Sequence, residues 1–214
     1  MEDKSIKEAI SKLKESPKRN FKQTIDLVIN LKGLDLKKPE HQIELFLQMP
    51  KFKGKKSKIC ALVGPEMAES AKSVDHYILL PDFDKLDKKT IKKLAREYDF
   101  FVGQATIMPK IAAVFGRVLG PKGKMPNPKA GCVVPPNANL KAVYDKLQGT
   151  VKLSCKKAPL MQTIVGNEDS NEADLIENIK YIYNNVIHAL PQAEHNIKSV
   201  FIKYTMGNPI KISK

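Results

Sequence analysis

Several stretches of the chain alternate between apolar and polar residues, which is the pattern of a β-strand with one buried face. The alternating stretches are residues 25–31, 43–49, 151–154, 160–165 and 198–205. We expect the first two to pair as an antiparallel hairpin through the connection at residues 33–39. The core of this sheet would then lie on one face only.

Two further stretches have apolar residues at the spacing of an amphipathic helix. In the first, residues 5–13, the apolar positions are Ile6, Ala9, Ile10 and Leu13. The longer stretch, residues 172–190, has an acid-rich first turn that suits the helix dipole, and Pro191 ends it.

In the middle of the chain the pattern changes to short, continuously apolar runs that alternate with helical stretches. The runs at residues 59–63, 77–80 and 100–102 predict strands, and helices are predicted after Gly64-Pro65, at residues 85–96 and at residues 107–115. Such an alternation indicates a parallel sheet. We therefore expect domain I at residues 1–56 and 150–214, and an inserted α/β domain II at residues 57–149. Both crossings fall beside a glycine, Gly54 and Gly149.

The charge balance narrows the class of partner. The 214 residues include 37 Lys and Arg but only 23 Asp and Glu, a net charge of +14. Such an excess usually marks a polyanionic partner, nucleic acid first and anionic membrane second. The chain has no transmembrane run, and Met1 leads into charged residues rather than an export signal, so we expect a cytoplasmic protein.

Candidate chemistry is sparse. The cysteines and histidines lack metal-ligand or nucleophile spacing, so we expect buried reduced thiols and no catalytic histidine; they are Cys60, Cys132, Cys155, His41, His76, His188 and His195. The segment with Asp82, Asp84 and Asp87 has neither the glycine nor the terminal glutamate of a calcium-binding loop. We expect these three acids to be solvated side chains at the start of a helix. We expect no enzyme site, metal or cofactor.

A loop at residues 116–131 is rich in glycine, proline and basic residues, and no Asp or Glu occurs from Lys110 to Pro136. It fails the spacing of a P-loop, because Gly123-Lys124 lacks a glycine five positions earlier and is followed by Met125. We still expect the basic residues of this segment to form an anion-attracting surface. The alternative is that the segment is a folded loop with no ligand. A small α/β enzyme or nucleotide-binding module, with a phosphate held here, is one alternative function. A nonspecific basic protein is another.

The segment Leu119-Gly-Pro-Lys-Gly-Lys-Met-Pro-Asn-Pro-Lys-Ala-Gly131 closely resembles the signature of the L-one (uL-one) family of large-subunit ribosomal proteins. Those proteins belong to the mobile lateral stalk beside the tRNA exit site. The resemblance extends to residues 19–24, 160–166 and 199–207, and it favours the archaeal type. Asn208 separates Gly207 from Pro209 where many relatives have Gly-Pro directly, and Asn20 stands where some bacterial relatives have a lysine.

The resemblance implies a first domain with an antiparallel sheet and two helices, built from both termini. A Rossmann-like, three-layer α/β domain would be inserted into it through a two-stranded hinge. It also implies a non-enzymatic, monomeric protein that binds stalk ribosomal RNA, aids exit of tRNA and represses translation of its own mRNA. No membrane partner is expected.

The resemblance also implies the RNA-contacting residues. The family positions correspond to Phe21, Thr24, Asp26, Ser199, Thr205, Met206 and Gly207, with Arg19, Lys157 and Lys198 as candidate phosphate neighbours. Periodicity independently places Thr24, Asp26, Ser199 and Thr205 on non-core faces of their strands. Hydroxyls, a carboxylate and the Gly207 amide suit the sugars and phosphates of folded RNA. The alternative is that Phe21 is a core residue and that residues 205–207 are an ordinary strand end.

Overall fold

The computed structural model describes residues 3–17, 19–156 and 158–212. The chain divides into two compact units, Met1–Lys55 with Gly149–Lys214 (unit 1) and Lys56–Gln148 (unit 2). The strands are β1 (Thr24–Leu31), β2 (Ile43–Gln48), β3 (Ile59–Val63), β4 (His76–Leu79), β5 (Phe100–Gln104), β6 (Val133–Val134), β7 (Thr150–Cys155), β8 (Leu160–Asn167), β9 (Ile197–Tyr204) and β10 (Ile210–Ile212). The helices are α1 (Asp3–Lys14), α2 (Ala68–Ala71), α3 (Lys88–Glu97), α4 (Met108–Leu119), α5 (Leu140–Gly149) and α6 (Glu172–Ala189).

Unit 1 contains a four-stranded antiparallel sheet in the order β10-β9-β1-β8. Every second residue of β1 is buried, as the alternation predicts. Its inward side chains, such as Leu27 and Ile29, share one core with Ile10 of α1 and Ile179 of α6. The two helices therefore cover one face of the sheet only, and the fold class expected for this part of the chain is confirmed.

The pairing expected for β2 is wrong. β2 pairs antiparallel with β7 in a separate two-stranded sheet, with Leu45 opposite Leu153. Both edges of β1 are already occupied, by β8 and β9. Alternation states which face of a strand is buried but not which strand lies beside it, so the short connection misled the prediction.

Gly54 lies where the chain leaves unit 1, and only glycine fits there. Its φ is +90°, and an added Cβ would lie 2.4 Å from the carbonyl carbon of Gly166. The Asn167 side-chain amide donates to the Gly54 carbonyl at 3.2 Å, and the buried Lys53 ammonium donates to the Thr150 carbonyl at 2.9 Å. These contacts fix the crossing to β8 and β7 of unit 1.

Unit 2 contains a parallel sheet in the order β4-β3-β5-β6, which confirms the expected α/β class. All five residues of β3 are buried, since protein covers both faces of the sheet. On one face, Phe83 and Phe115 meet edge to face with ring centroids 5.2 Å apart. Such a pair adds about 0.5–1.5 kcal/mol beyond the apolar area that it buries.

Several boundaries differ from the predictions. α3 begins at Lys88 rather than residue 85, because residues 80–85 form a 3-10 helix and Leu86 is extended. The helical stretch after Gly64-Pro65 is a 3-10 turn followed by only four α-helical residues. The short strand β6 and the helix α5 are not predicted, and β10 follows the strand expected to be the last. β6 and β10 are runs of two and three residues, which carry too little periodicity to be recognised.

The glycine- and proline-rich loop of unit 2 is a folded, hydrogen-bonded segment. The Lys124 ammonium donates to the Tyr98 carbonyl at 2.6 Å, and this carbonyl lies at the C-terminal end of α3. The Asn127 side chain accepts from the Lys129 amide at 2.9 Å, and Gly131 takes a φ of +71°. Part of the loop's basic and turn-forming composition therefore serves to close α3 and to fold the loop itself.

Candidate nucleic-acid interface

The outer face of the unit 1 sheet, opposite the helices, carries partly exposed side chains from two adjacent strands. It is formed by Thr24, Asp26, Val28 and Asn30 of β1 and by Ser199, Phe201, Lys203 and the following Thr205 of β9. The register places Asp26 opposite Lys203 and Asn30 opposite Ser199. The residues expected to face a ligand are therefore on one surface.

Thr24, Asp26 and Thr205 form a polar cluster at one end of this face. The two threonine hydroxyl oxygens lie 2.6 Å apart, and the Thr205 amide donates to the Thr24 carbonyl at 3.0 Å. Burial raises the pKa of Asp26 above its ordinary value, although the Lys203 ammonium and a hydrogen bond from Thr205 oppose the shift. The cluster therefore combines two hydroxyls with a half-buried carboxylate.

Exposed apolar side chains accompany the polar cluster. Phe21, three residues before Thr24, is 53% exposed, and Met206, the residue after Thr205, is 60% exposed. The alternative that Phe21 is a core residue is therefore wrong. The Arg19 guanidinium donates to the Met206 carbonyl at 3.4 Å, which brings this predicted phosphate neighbour to the same segment.

Residues 205–207 form the turn that joins β9 to β10. The Gly207 amide donates to the Tyr204 carbonyl at 2.9 Å, so this amide is already engaged in closing the turn. An added Cβ at Gly207 would lie 3.1 Å from the Tyr204 Cβ. The glycine thus gives the turn its compactness rather than a free amide.

The remaining predicted residues lie elsewhere. Ser199 accepts a hydrogen bond from the Asn30 side-chain amide at 3.1 Å, at the opposite end of β9. It is separated from Thr205 by about 20 Å of extended strand. Lys198 is exposed beside it, and Lys157 lies outside the described residues. The structure therefore divides the predicted site between the two ends of one face.

Comparison with known proteins identifies the family. Residues 13–208 match the model of the ribosomal protein L1p/L10e family. The chain is 41% identical over 208 residues to the large ribosomal subunit protein uL1 of Nanoarchaeum equitans, covering 95% of this chain and 97% of that protein. The identity is 39% with uL1 of Methanothermococcus thermolithotrophicus (99% and 97% covered) and 37% with uL1 of Thermococcus kodakarensis (98% and 95% covered). The chain belongs to the ribosomal protein L1p/L10e family. The resemblance inferred from the sequence, including its archaeal type, is confirmed.

Three polar residues of this L1-family sheet are absent from the sequence-based candidates. Asn30 and Lys203 share the outer face with the polar cluster, and the alternation of β1 and β9 already places them there. Gln162 of β8 lies opposite Val28 on the same face and is exposed. Only the β1–β8 register reveals Gln162, because the sequence does not state which strands are neighbours.

The α/β unit of this L1-family chain offers a poor site for a nucleotide. In such sheets ligands bind at the carboxyl ends of the strands where the strand order reverses, here between β3 and β5. The Gln104 side chain, 2% exposed, occupies this position, accepting from the Gly64 amide at 2.8 Å and donating to the Thr106 hydroxyl at 2.9 Å. Its amide nitrogen also lies 3.4 Å from a Glu66 carboxylate oxygen. A filled crevice with an acid beside it argues against bound phosphate.

Other candidate chemistry is likewise unsupported. Within residues 3–17, 19–156 and 158–212, no three His, Cys, Asp or Glu side chains are grouped to hold a metal ion. Asp82 and Asp84 instead pair with Lys85 and Lys110 at 2.9 and 3.2 Å. The three cysteines are free and buried, as expected, and burial raises the pKa of Cys60 to about 12. In the same part of the chain no helix is long and apolar enough to cross a membrane.

Proposed function

We propose that this chain is a structural, non-enzymatic constituent of the large ribosomal subunit that binds the ribosomal RNA of the lateral stalk through the outer face of unit 1. The observation that carries the proposal is the polar cluster of Thr24, Asp26 and Thr205 on an open sheet face. The names of the uL1 relatives support the ribosomal assignment. The net charge of +14 supports a polyanionic partner.

The chemistry of the cluster suits folded RNA. A ribose 2′-hydroxyl both donates and accepts hydrogen bonds, so the Thr24 and Thr205 hydroxyls can pair with it in either sense. The Asp26 carboxylate accepts from a 2′-hydroxyl or a base amine, and it repels phosphate. This combination favours a particular RNA shape, whereas lysines alone bind any phosphate backbone.

Neighbouring residues complete the proposed site. Phe21 and Met206 present apolar surface to a base or sugar. Arg19, Lys203 and, at the far end of the face, Lys198 with Ser199 lie within reach of the phosphates of a longer RNA. Lys157 is proposed for the same role from the family resemblance.

The wider biological role follows the family resemblance. We propose that residues 1–56 and 150–214 act as the RNA-binding domain I, and that domain II, residues 57–149, is carried with the stalk. In the cytoplasmic ribosome the protein would aid release of deacylated tRNA at the exit site. As a free monomer it would bind a stalk-like site in its own mRNA and repress translation.

Filter binding at physiological salt tests the RNA site. We expect the stalk segment of large-subunit ribosomal RNA to bind at least about 4 kcal/mol more tightly than an unrelated hairpin of equal length, the lower end for specific complexes on DNA. Thr205→Ala should lose more than about 1 kcal/mol of binding to the stalk RNA, because it removes one hydroxyl from the cluster.

Thr90→Ala is the matched control, since Thr90 is an exposed threonine of α3 in the other unit. It should leave the affinity for stalk RNA unchanged. Equal binding of both RNAs, with Thr205→Ala indistinguishable from Thr90→Ala, would contradict the proposal and leave only a basic surface.

A further inference from the structure

The net positive charge of the chain is divided equally between the two units. Unit 2, residues 56–148, contains 16 Lys and Arg against 9 Asp and Glu, so half of the net charge of +14 lies there. The RNA site proposed above uses unit 1 only. The excess charge of unit 2 therefore has no partner in that account.

The charge of unit 2 is concentrated on α3. Five of its ten residues are basic and all five are exposed: Lys88, Lys89, Lys92, Lys93 and Arg96. At 100° per residue they occupy about 140° of the helix circumference, and the buried Ile91 and Ala95 lie outside this arc. We call these five side chains the basic face.

Asp87 and Glu97 flank the basic face at the two ends of α3, but neither forms an ion pair with it. Among the ion pairs between described residues, none includes a cation of the basic face. Glu97, the acid at the end of α3, pairs with Lys58, and Asp84 pairs with Lys110. The five charges are therefore not neutralised within the described chain and attract a polyanion.

A cation from α4 extends the surface. Arg117 and Lys88 line one shallow groove between α3 and α4, whose floor includes Ile91 and Val118. From Lys88 to Arg96 the helix rises by about 12 Å, the length of a few consecutive phosphates of one nucleic-acid strand. A strand that follows α3 would thus meet cations along its whole length.

We propose that the basic face, extended by Arg117, binds the phosphate backbone of RNA without reading its sequence. Protein interfaces are depleted in lysine and have an apolar, often aromatic centre, whereas the exposed large apolar side chains of this chain lie outside α3, at Phe21, Phe52, Tyr77, Tyr181 and Met206. Counterion release from a phosphate backbone requires only cations. RNA is therefore a better partner for this face than an acidic protein.

The salt dependence of binding to a 20-base-pair RNA duplex of unrelated sequence tests this proposal. The full chain carrying Lys89→Gln, Lys92→Gln and Lys93→Gln is compared with wild type. Each lost phosphate contact reduces the slope of log K against log salt by about 0.7–0.9, so we expect the slope to become shallower by about 2. Glutamine retains helix propensity, and circular dichroism checks that α3 is intact.

The matched control substitutes three exposed lysines of α1, Lys4→Gln, Lys7→Gln and Lys12→Gln, which removes the same charge from the other unit. We expect this control to change the slope by less than half as much. Equal changes in the two variants, or a wild-type slope after substitution of α3, would overturn the proposal. The uncharged change Thr205→Ala should leave the duplex slope unaltered, so a failure here is distinct from a failure of the stalk RNA site.

Discussion

β1 and β3 are both central strands, yet their burial differs. In β1 every second residue is buried, whereas all five residues of β3 are buried. The antiparallel sheet of unit 1 is covered on one face by two helices, while the parallel sheet of unit 2 is covered on both. Only unit 1 can therefore present strand side chains to a ligand.

This difference has a functional consequence. A strand face holds side chains in a fixed two-dimensional register, as with Asp26 opposite Lys203, which suits recognition of RNA shape. Unit 2 can offer only the outer surfaces of its helices and loops. The basic face of α3 accordingly has charge but no defined polar pocket, which suits contact with any phosphate backbone.

The largest expected effect is a loss of stability in unit 1 that leaves unit 2 unchanged. Gly54→Ala places a Cβ 2.4 Å from the Gly166 backbone at a φ of +90°, so we expect it to lower the free energy of unfolding of unit 1 by about 2–4 kcal/mol. Pulsed alkylation during urea unfolding measures it, since Cys155 reports unit 1 and Cys60 reports unit 2. Labelling of Cys155 should shift to lower urea. An equal shift of Cys60 would mean that the two units do not unfold separately.

A smaller effect is expected at the polar cluster. Because burial raises the pKa of Asp26 above 3.8, the native state retains its proton in a pH range where the unfolded chain has lost it. Ionisation therefore costs stability as the pH rises through that range. Asp26→Asn should raise the thermal unfolding temperature at neutral pH while weakening the binding of stalk RNA. The gain should disappear in acid below pH 3.8, where both states are protonated.

Glu44→Gln provides a control of opposite sign in the same unit. Burial of Glu44 opposes its ionisation, but hydrogen bonds from Lys152 and Lys156, at 2.7 and 2.5 Å, outweigh it and lower the pKa of this carboxyl. Its contribution to stability is present above its unfolded-state pKa and is lost in acid. Glu44→Gln should therefore lower the unfolding temperature at neutral pH. If both variants shifted it in the same direction, the account of Asp26 would be wrong.

The smallest expected effect is a gain in the stability of unit 2. An added Cβ at Gly116 of α4 would meet no atom within 4 Å, so Gly116→Ala should stabilise unit 2 by about 0.5–1 kcal/mol through reduced chain entropy. The urea dependence of Cys60 labelling measures it. The same glycine-to-alanine change thus has opposite signs at Gly54 and Gly116, and a loss of stability at Gly116 would contradict the open environment seen there.

Much of the fold could be predicted because long elements repeat their pattern several times. α1, α6, β1 and β9 each contain at least three apolar residues on one face, and all four were predictable to within about three residues. The partner of β2 could not be predicted, since its alternation fits any antiparallel neighbour. Two signals for α5 are present in the sequence but weak: apolar residues at helical spacing, and an asparagine, Asn139, just before the helix. In the structure the Asn139 side chain accepts from the Lys141 amide at 3.0 Å.

The candidate site shows the same limit. Periodicity places Thr24, Asp26 and Thr205 on non-core faces, but their contact depends on the β1–β9 register, which results from tertiary packing. The exposure of Phe21 is also a tertiary property, because an aromatic residue before a strand fits a core as well as a surface. The engagement of the Gly207 amide within its turn depends on backbone geometry that the sequence does not state.

Methyl NMR of the methionines, with stalk RNA added, tests the central claim that RNA binds the outer face of unit 1. Met206 is 60% exposed beside the polar cluster, whereas Met161 of β8 is 1% exposed on the opposite face of the same sheet. We predict that stalk RNA shifts or broadens the Met206 methyl signal, assigned by Met206→Leu, and leaves Met161 unchanged, while an unrelated hairpin perturbs neither. An unchanged Met206 signal in a fully formed stalk RNA complex would contradict the account.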